Sequence, residues 1–148
     1  MEPAKHNLLL ADDDTDDCIF FKEVLEELRI TTNLTIINDG VELLSYLSKN
    51  YSNLPDVLFL DLNMPLKNGF ECLSELKMNE KLKHLPVVIF STSFDMEVVN
   101  SLYEKGANYY VRKPAEFIKL KKVVQVVLDL VSKKNYTLSS KEDFILLS

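Results

Sequence analysis

The sequence predicts an α/β protein built around a doubly wound parallel sheet. Five short β-type runs, Asn7–Ala11, Leu34–Asn38, Val57–Leu60, Val87–Phe90 and Tyr109–Val111, alternate with longer stretches of helical periodicity. The runs are mostly apolar instead of alternating, as strands covered on both faces are. Repeated strand–helix units of this kind imply a parallel sheet with helices on both sides.

Each helical stretch follows from its spacing. After the first run, Cys18, Phe21, Leu25 and Leu28 recur at i, i+3, i+7 and i+10. The segment "NDGVELLSYL" reads as strand end, turn and helix. Phe70, Leu73 and Leu76 mark a third helix. Val98, Val99 and Leu102 mark a fourth, which ends near Gly106, a residue suited to the left-handed position after a helix. Phe117, Leu120, Val124, Val127, Leu128 and Val131 form the apolar stripe of the fifth. The reading is therefore five β–α units in one domain, residues 1–134, and a C-terminal extension, residues 135–148. The extension is polar with an apolar end, Phe144, Ile145, Leu146 and Leu147. That end has three possible fates: it packs on the last face of the domain, it mediates a homodimer, or it stays disordered.

Composition bounds the function. The chain has 148 residues, 47% hydrophobic and 27% charged, which suits a soluble domain with its own core. A formal net charge of −6 argues against nucleic-acid binding, although Lys and Arg gather between Arg112 and Lys134. Cys18 and Cys72 lack metal-ligand spacing and read as buried thiols in a reducing compartment. The first apolar run is too short for a signal peptide, and no stretch approaches the ~18 apolar residues of a membrane span. The expectation is a cytoplasmic protein without membrane partners.

The chemistry stands at the carboxyl ends of the strands, where function gathers in open parallel sheets. The first strand ends in Asp12 and Asp13, the third in Asp61, the fourth in Ser91 and Thr92, and the fifth in Lys113. Each alone has an ordinary explanation as a helix cap, a turn residue or a surface lysine. Together they suit phosphoryl transfer onto a carboxylate: an Asp nucleophile, a hard cation held by Asp13 and Asp61, and Lys113 and the Ser91 hydroxyl on phosphoryl oxygens. On this reading Asp12 and Asp13 are held together by a metal, while Asp14, Asp16 and Asp17 open a helix.

At these residues the sequence resembles the receiver domains of two-component response regulators, from about His6 to about Lys134. "LLLADDD" resembles the first-strand acid pair and "DVLFLDLNMPLKNG" the phosphoacceptor segment; "VVIFSTS" and "YYVRKP" supply the rest. The resemblance implies a flavodoxin-like sheet of order 2-1-3-4-5. It implies Asp61 as phosphoacceptor, with Asp12, Asp13, Asp61 and the backbone carbonyl of Asn63 around Mg²⁺, or Mn²⁺ in its place. It also implies Ser91 as the switch hydroxyl, Lys113 on the phosphoryl group, Tyr110 as the aromatic switch moving from exposed to buried, and a cis bond before Pro114. Thr92 departs from the small residue usual after the switch hydroxyl, which bears on the lifetime of the phosphorylated form. The implied function is a single-domain response regulator, catalysing only its own phosphorylation and dephosphorylation. Its phosphodonor is a histidine kinase or histidine phosphotransfer protein, and a downstream protein docks on the face formed by the fourth helix, fifth strand and fifth helix.

Two alternatives stand beside it. A degenerate receiver would bind partners without phosphate, but no position of the reactive set is missing. A haloacid-dehalogenase-type phosphatase wants D-x-D-x-T after the first strand. Here Thr15 comes one place early, and Asp95 is a lone acid after the fourth strand.

Overall fold

The computed structural model describes residues 6–133 and 141–146. The elements run β1 (His6–Ala11), α1 (Thr15–Leu28), β2 (Thr32–Ile37), α2 (Gly40–Lys49), β3 (Val57–Leu60), α3 (Gly69–Met78), β4 (Val87–Ser91), α4 (Met96–Glu104), β5 (Tyr109–Arg112), α5 (Phe117–Lys133), α6 (Lys141–Phe144) and β6 (Ile145–Leu146). All strand pairs are parallel, in the order β2-β1-β3-β4-β5-β6.

The two-residue period of a strand divides the apolar runs between two cores. Leu9, Ala11, Leu58, Leu60, Val87, Ile89 and Tyr110 belong to one, with side chains of α2, α3 and α4. Leu8, Leu10, Val57, Phe59, Val88, Phe90, Tyr109 and Val111 belong to the other, with α1 and α5. Phe21 of α1 sits edge-on to Phe59 and Phe90, with centroids 4.9 and 5.8 Å away. β2 begins earlier than its apolar run, because Thr32 and Asn33 pair with His6 and Asn7 at the exposed edge of the sheet. A side-chain hydrogen bond of 3.1 Å from Asn33 to Asn7 holds this polar end.

Helix starts consume several polar residues of the strand-end loops. The side chains of Asp14, Asp39, Asn68 and Asp95 accept backbone N–H bonds at the N-termini of α1, α2, α3 and α4. Gly106 has φ 94, so a residue without Cβ serves the left-handed turn after α4. Gly69 opens α3 where a Cβ would lie 2.4 Å from the Asp61 carbonyl, so the α3 start closes directly onto the end of β3.

Two expectations need correction. The sheet has six strands instead of five. Ile145 and Leu146 pair with Tyr110 and Val111, covering the β5 edge that would otherwise present unpaired N–H and C=O groups. Phe144 is fully buried, 5.3 Å from the ring of Tyr103 and 6.4 Å from that of Tyr110. The described part of the extension therefore packs on the α4–β5 face of its own chain; Leu147 lies outside the described residues. The Lys113–Pro114 peptide bond is trans, since the described chain contains no cis peptide bond. Trans is the favoured isomer by ~0.5–1 kcal/mol. Lys113 needs no cis bend to enter the site: its N–H donates to the Ser91 carbonyl at 2.8 Å, and its ammonium already reaches Asp12.

The docking of Phe144 has a measurable cost. Phe144→Ala is expected to lower the unfolding free energy by about 2–3 kcal/mol, less than the ~3–5 kcal/mol of a buried Phe because the short segment can detach. Urea unfolding of both proteins checks this; an unchanged midpoint would mean that the segment contributes no packing energy.

Candidate phosphoryl and metal site

Sheet register brings the strand-end residues together. Ala11 pairs with Leu60, so Asp12 and Asp61 leave adjacent strands at one level. The Asp61 N–H donates to the Ala11 carbonyl at 2.9 Å. Leu60 pairs with Ile89 and Ser91 with Arg112, which puts Ser91 and Lys113 at the same edge.

Three carboxylates converge there. Oxygens of Asp12, Asp13 and Asp61 all lie within 4.8 Å of one another. Asp12 is fully buried, Asp61 nearly so, and Asp13 is exposed at the mouth. Asp12 is held from three sides. Its Oδ1 accepts from the Asp14 N–H at 2.9 Å, its carbonyl accepts from the Asn38 amide at 2.9 Å, and its Oδ2 meets the Lys113 ammonium at 2.7 Å. Asp61 Oδ1 accepts from the Asn63 N–H at 3.4 Å. Beside Asp13 and Asn63 opens a cleft of about 560 Å³, also lined by Met64, Asn68, Ser93 and Val98.

Electrostatics single out Asp61. Burial raises its carboxyl from the ordinary 3.8 to about 6, against the opposing pull of Lys113 and with help from the charge of Asp12. Burial by itself would lower the Lys113 ammonium; hydrogen bonds to Asp12 and Asp17 and the charge of Asp61 outweigh it and push it up. The ammonium also lies 5.5 Å from the centroid of the Phe90 ring. Three hard oxygen donors in this space suit a small divalent cation, which would offset the crowding of negative charge.

Ser91 is fully buried behind the carboxylates, its hydroxyl accepting from the Ser93 N–H at 3.2 Å. Thr92 is exposed at the rim. Tyr110 is fully buried, donates its hydroxyl to the Ser93 carbonyl and packs on Phe94. Burial raises the Tyr110 phenol, partly offset by the neighbouring Ser91 hydroxyl. This structure thus holds the buried arrangement of the aromatic. Burial also raises the thiols of Cys18 and Cys72 to about 11, in line with inert buried side chains.

The family model described as "Response regulator receiver domain" matches residues 8–125. The chain belongs to the response regulator receiver family. This receiver domain is 37% identical over 122 residues to the response regulator Rcp1 of Synechocystis sp., covering 80% of this chain and 83% of that one. A phosphorylated structure of the cyanobacterial phytochrome response regulator RcpA matches with TM-score 0.79 and 31% identity, over 93% of this chain and all of that one. The Mn²⁺-bound form of Rcp1 matches with TM-score 0.75 and 34% identity, over 91% and 99% of the two chains. The dehalogenase-type alternative has no support beside this match.

The structure unites Asp12, Asp13, Asp61, Ser91 and Lys113, with Asn63 and Tyr110 beside them and Thr92 at the edge. Sequence reading missed two contributors. Asp17, assigned to the helix start, places Oδ2 2.8 Å from the Lys113 ammonium. Asn38, the last residue of the second apolar run, fixes the Asp12 carbonyl. Nothing in the local pattern marks either role, because both depend on α1 and β2 lying beside β1.

The raised Asp61 carboxyl sets a pH dependence for the metal-free protein. The folded state binds this proton more tightly than the unfolded state, so the group favours folding below about pH 4 and loses that contribution as pH rises through about 6. A shift of this size corresponds to about 3 kcal/mol. In EDTA, Asp61→Asn is therefore expected to gain stability over the wild type between pH 4 and 7. Parallel urea melts across that range check the sign; a constant difference would refute it.

Proposed function

We propose that this receiver domain accepts a phosphoryl group on Asp61 from a histidine kinase or histidine phosphotransfer protein, in a reaction that requires Mg²⁺. The observation that carries the reading is the position of Asp61: nearly buried at a strand end, ringed by Asp12, Asp13 and Lys113, with its carboxyl raised to about 6 by burial. An Asp61 carboxylate oxygen attacks phosphorus as the bond to the donor imidazole breaks, and the imidazole leaves with its electron pair. Asp12, Asp13, Asp61 and the Asn63 carbonyl would hold the cation, which would neutralise charge on the transferred group and orient it. Lys113 and the Ser91 hydroxyl receive the other phosphoryl oxygens. Thr92, at the rim, narrows the approach of hydrolytic water. The Mn²⁺-bound Rcp1 and phosphorylated RcpA structures support both halves of the reading.

Output follows from the packing behind Ser91. A hydroxyl drawn toward the phosphoryl group alters the surroundings of Tyr110, which the Ser93 carbonyl and the Phe94 ring now hold. The α4–β5–α5 face, which carries Tyr110 and seats Phe144, is the docking surface for the downstream protein. Such a switch works to the extent that phosphate interacts differently with the two arrangements. Residues 1–134 are the receiver proper and residues 135–148 a C-terminal extension, whose described part, residues 141–146, lies on that output face.

Incubation with acetyl phosphate and Mg²⁺ is expected to add one phosphoryl mass to the wild type and none to Asp61→Asn, read by intact-protein mass spectrometry. EDTA abolishes the gain. Equal labelling of the variant would overturn the assignment.

A further inference from the structure

Lys113 is engaged by more carboxylates than phosphoryl binding requires. Its ammonium nitrogen lies 2.7 Å from Asp12 Oδ2 and 2.8 Å from Asp17 Oδ2, but 3.5 Å from Asp61 Oδ2. An ammonium has three donors. Two make short charge-assisted bonds, and the loosest approach is to the carboxylate proposed as phosphoacceptor. Asp17 stands apart from the metal-type cluster, whose converging oxygens come from Asp12, Asp13 and Asp61. It is the third residue of α1, and its N–H donates to the capping side chain of Asp14 at 3.0 Å, so the helix start fixes its position. Its carboxylate is partly open to solvent while Lys113 is largely enclosed, so the ion pair closes the solvent side of the ammonium.

We propose that Asp17 is a positioning residue that acts through Lys113, holding the ammonium off Asp61 in the resting protein and competing with the phosphoryl group for it. The second half rests on the reading of Asp61 as phosphoacceptor. The consequences have opposite signs. A cation entering the cluster claims oxygens of Asp12, and Lys113 yields them more readily because Asp17 retains the ammonium. With Asp17 neutral, the ammonium leans harder on Asp12 and Asp61 and opposes the cation. A phosphoryl group on Asp61, once the cation is bound, then meets an ammonium with one fewer competing carboxylate. A role for Asp17 confined to complementing the α1 dipole would alter stability without involving Lys113.

The experiment uses the full chain as wild type, Asp17→Asn, Asp17→Glu, Lys113→Gln and the Asp17→Asn/Lys113→Gln double variant. Calorimetry measures Mg²⁺ affinity, and ¹⁹F NMR measures affinity for beryllofluoride, the phosphoryl mimic, at saturating Mg²⁺. Asp17→Asn is expected to weaken Mg²⁺ and tighten beryllofluoride, each by roughly threefold to fivefold, the upper part of the range of a partly exposed ion pair. Asp17→Glu keeps the charge and stays near wild type. On the Lys113→Gln background, Asp17→Asn changes either affinity by less than about twofold, because the cycle removes the shared partner. Shifts of the same sign, no shift at all, or a shift that persists without Lys113 would each overturn the proposal. If the double variant does not fold, the opposed shifts of Asp17→Asn and their rescue by Asp17→Glu decide. If Asp17→Asn weakens Mg²⁺ as described but the wild type takes no beryllofluoride, the phosphoacceptor reading sinks and the hold of Asp17 on Lys113 stands.

Discussion

The ammonium of Lys113 sits among carboxylates that could not otherwise share so small a space. Asp12 is fully buried and Asp61 is 5% exposed, and a buried charge is costly unless it is paired and hydrogen-bonded. Two unit charges ~4 Å apart repel by up to ~4 kcal/mol at an effective dielectric near 20. Lys113 relieves Asp12 most directly and Asp61 less so, and burial raises the Asp61 carboxyl despite the cation beside it. The arrangement leaves a residual excess of negative charge at the sheet edge, and that excess makes the edge receptive to a divalent cation.

Everything near the site serves to keep this pairing in register. The backbone bond from Asp61 to Ala11 aligns the two acidic strand ends, and the bond from Lys113 to Ser91 aligns the lysine with the hydroxyl. Gly69 allows α3 to start against the Asp61 carbonyl. Asp14, Asp39, Asn68 and Asp95 satisfy helix N-termini around the same rim, so the acid-rich edge divides into residues that cap and residues that converge.

Behind the carboxylates, the packing links the site to a distant surface. Ser91 lies beside Tyr110, Tyr110 bonds the Ser93 carbonyl and packs on Phe94, and the far side of Tyr110 meets Phe144. Tyr110 and Phe144 are fully buried and Phe94 lies at the exposed edge, and in the buried part a shift of one ring requires a matching shift of its neighbour. The C-terminal segment is thus a structural neighbour of the aromatic that the family resemblance assigns to switching.

The sequence by itself determined the layered α/β class, four strands almost to the residue, both helical faces and the strand-end set Asp12, Asp13, Asp61, Ser91 and Lys113. These were legible because period, burial and strand ends are local properties, and a parallel sheet carries every strand end to the same edge. The tertiary structure decided the rest. β2 starts at Thr32 because polar residues there find partners across β1, which no periodicity announces. The trans bond at Pro114 reflects a small isomer preference that the surrounding fold had no need to overturn. Asp17 reads as a helix-start acid, yet it reaches a lysine 96 residues away. Phe144 reads as the apolar end of a polar tail, and its place on Tyr110 depends on the β5 edge being free to accept another strand. Residue type and spacing specify what a side chain can do, whereas its partner is set by which elements the fold brings beside it.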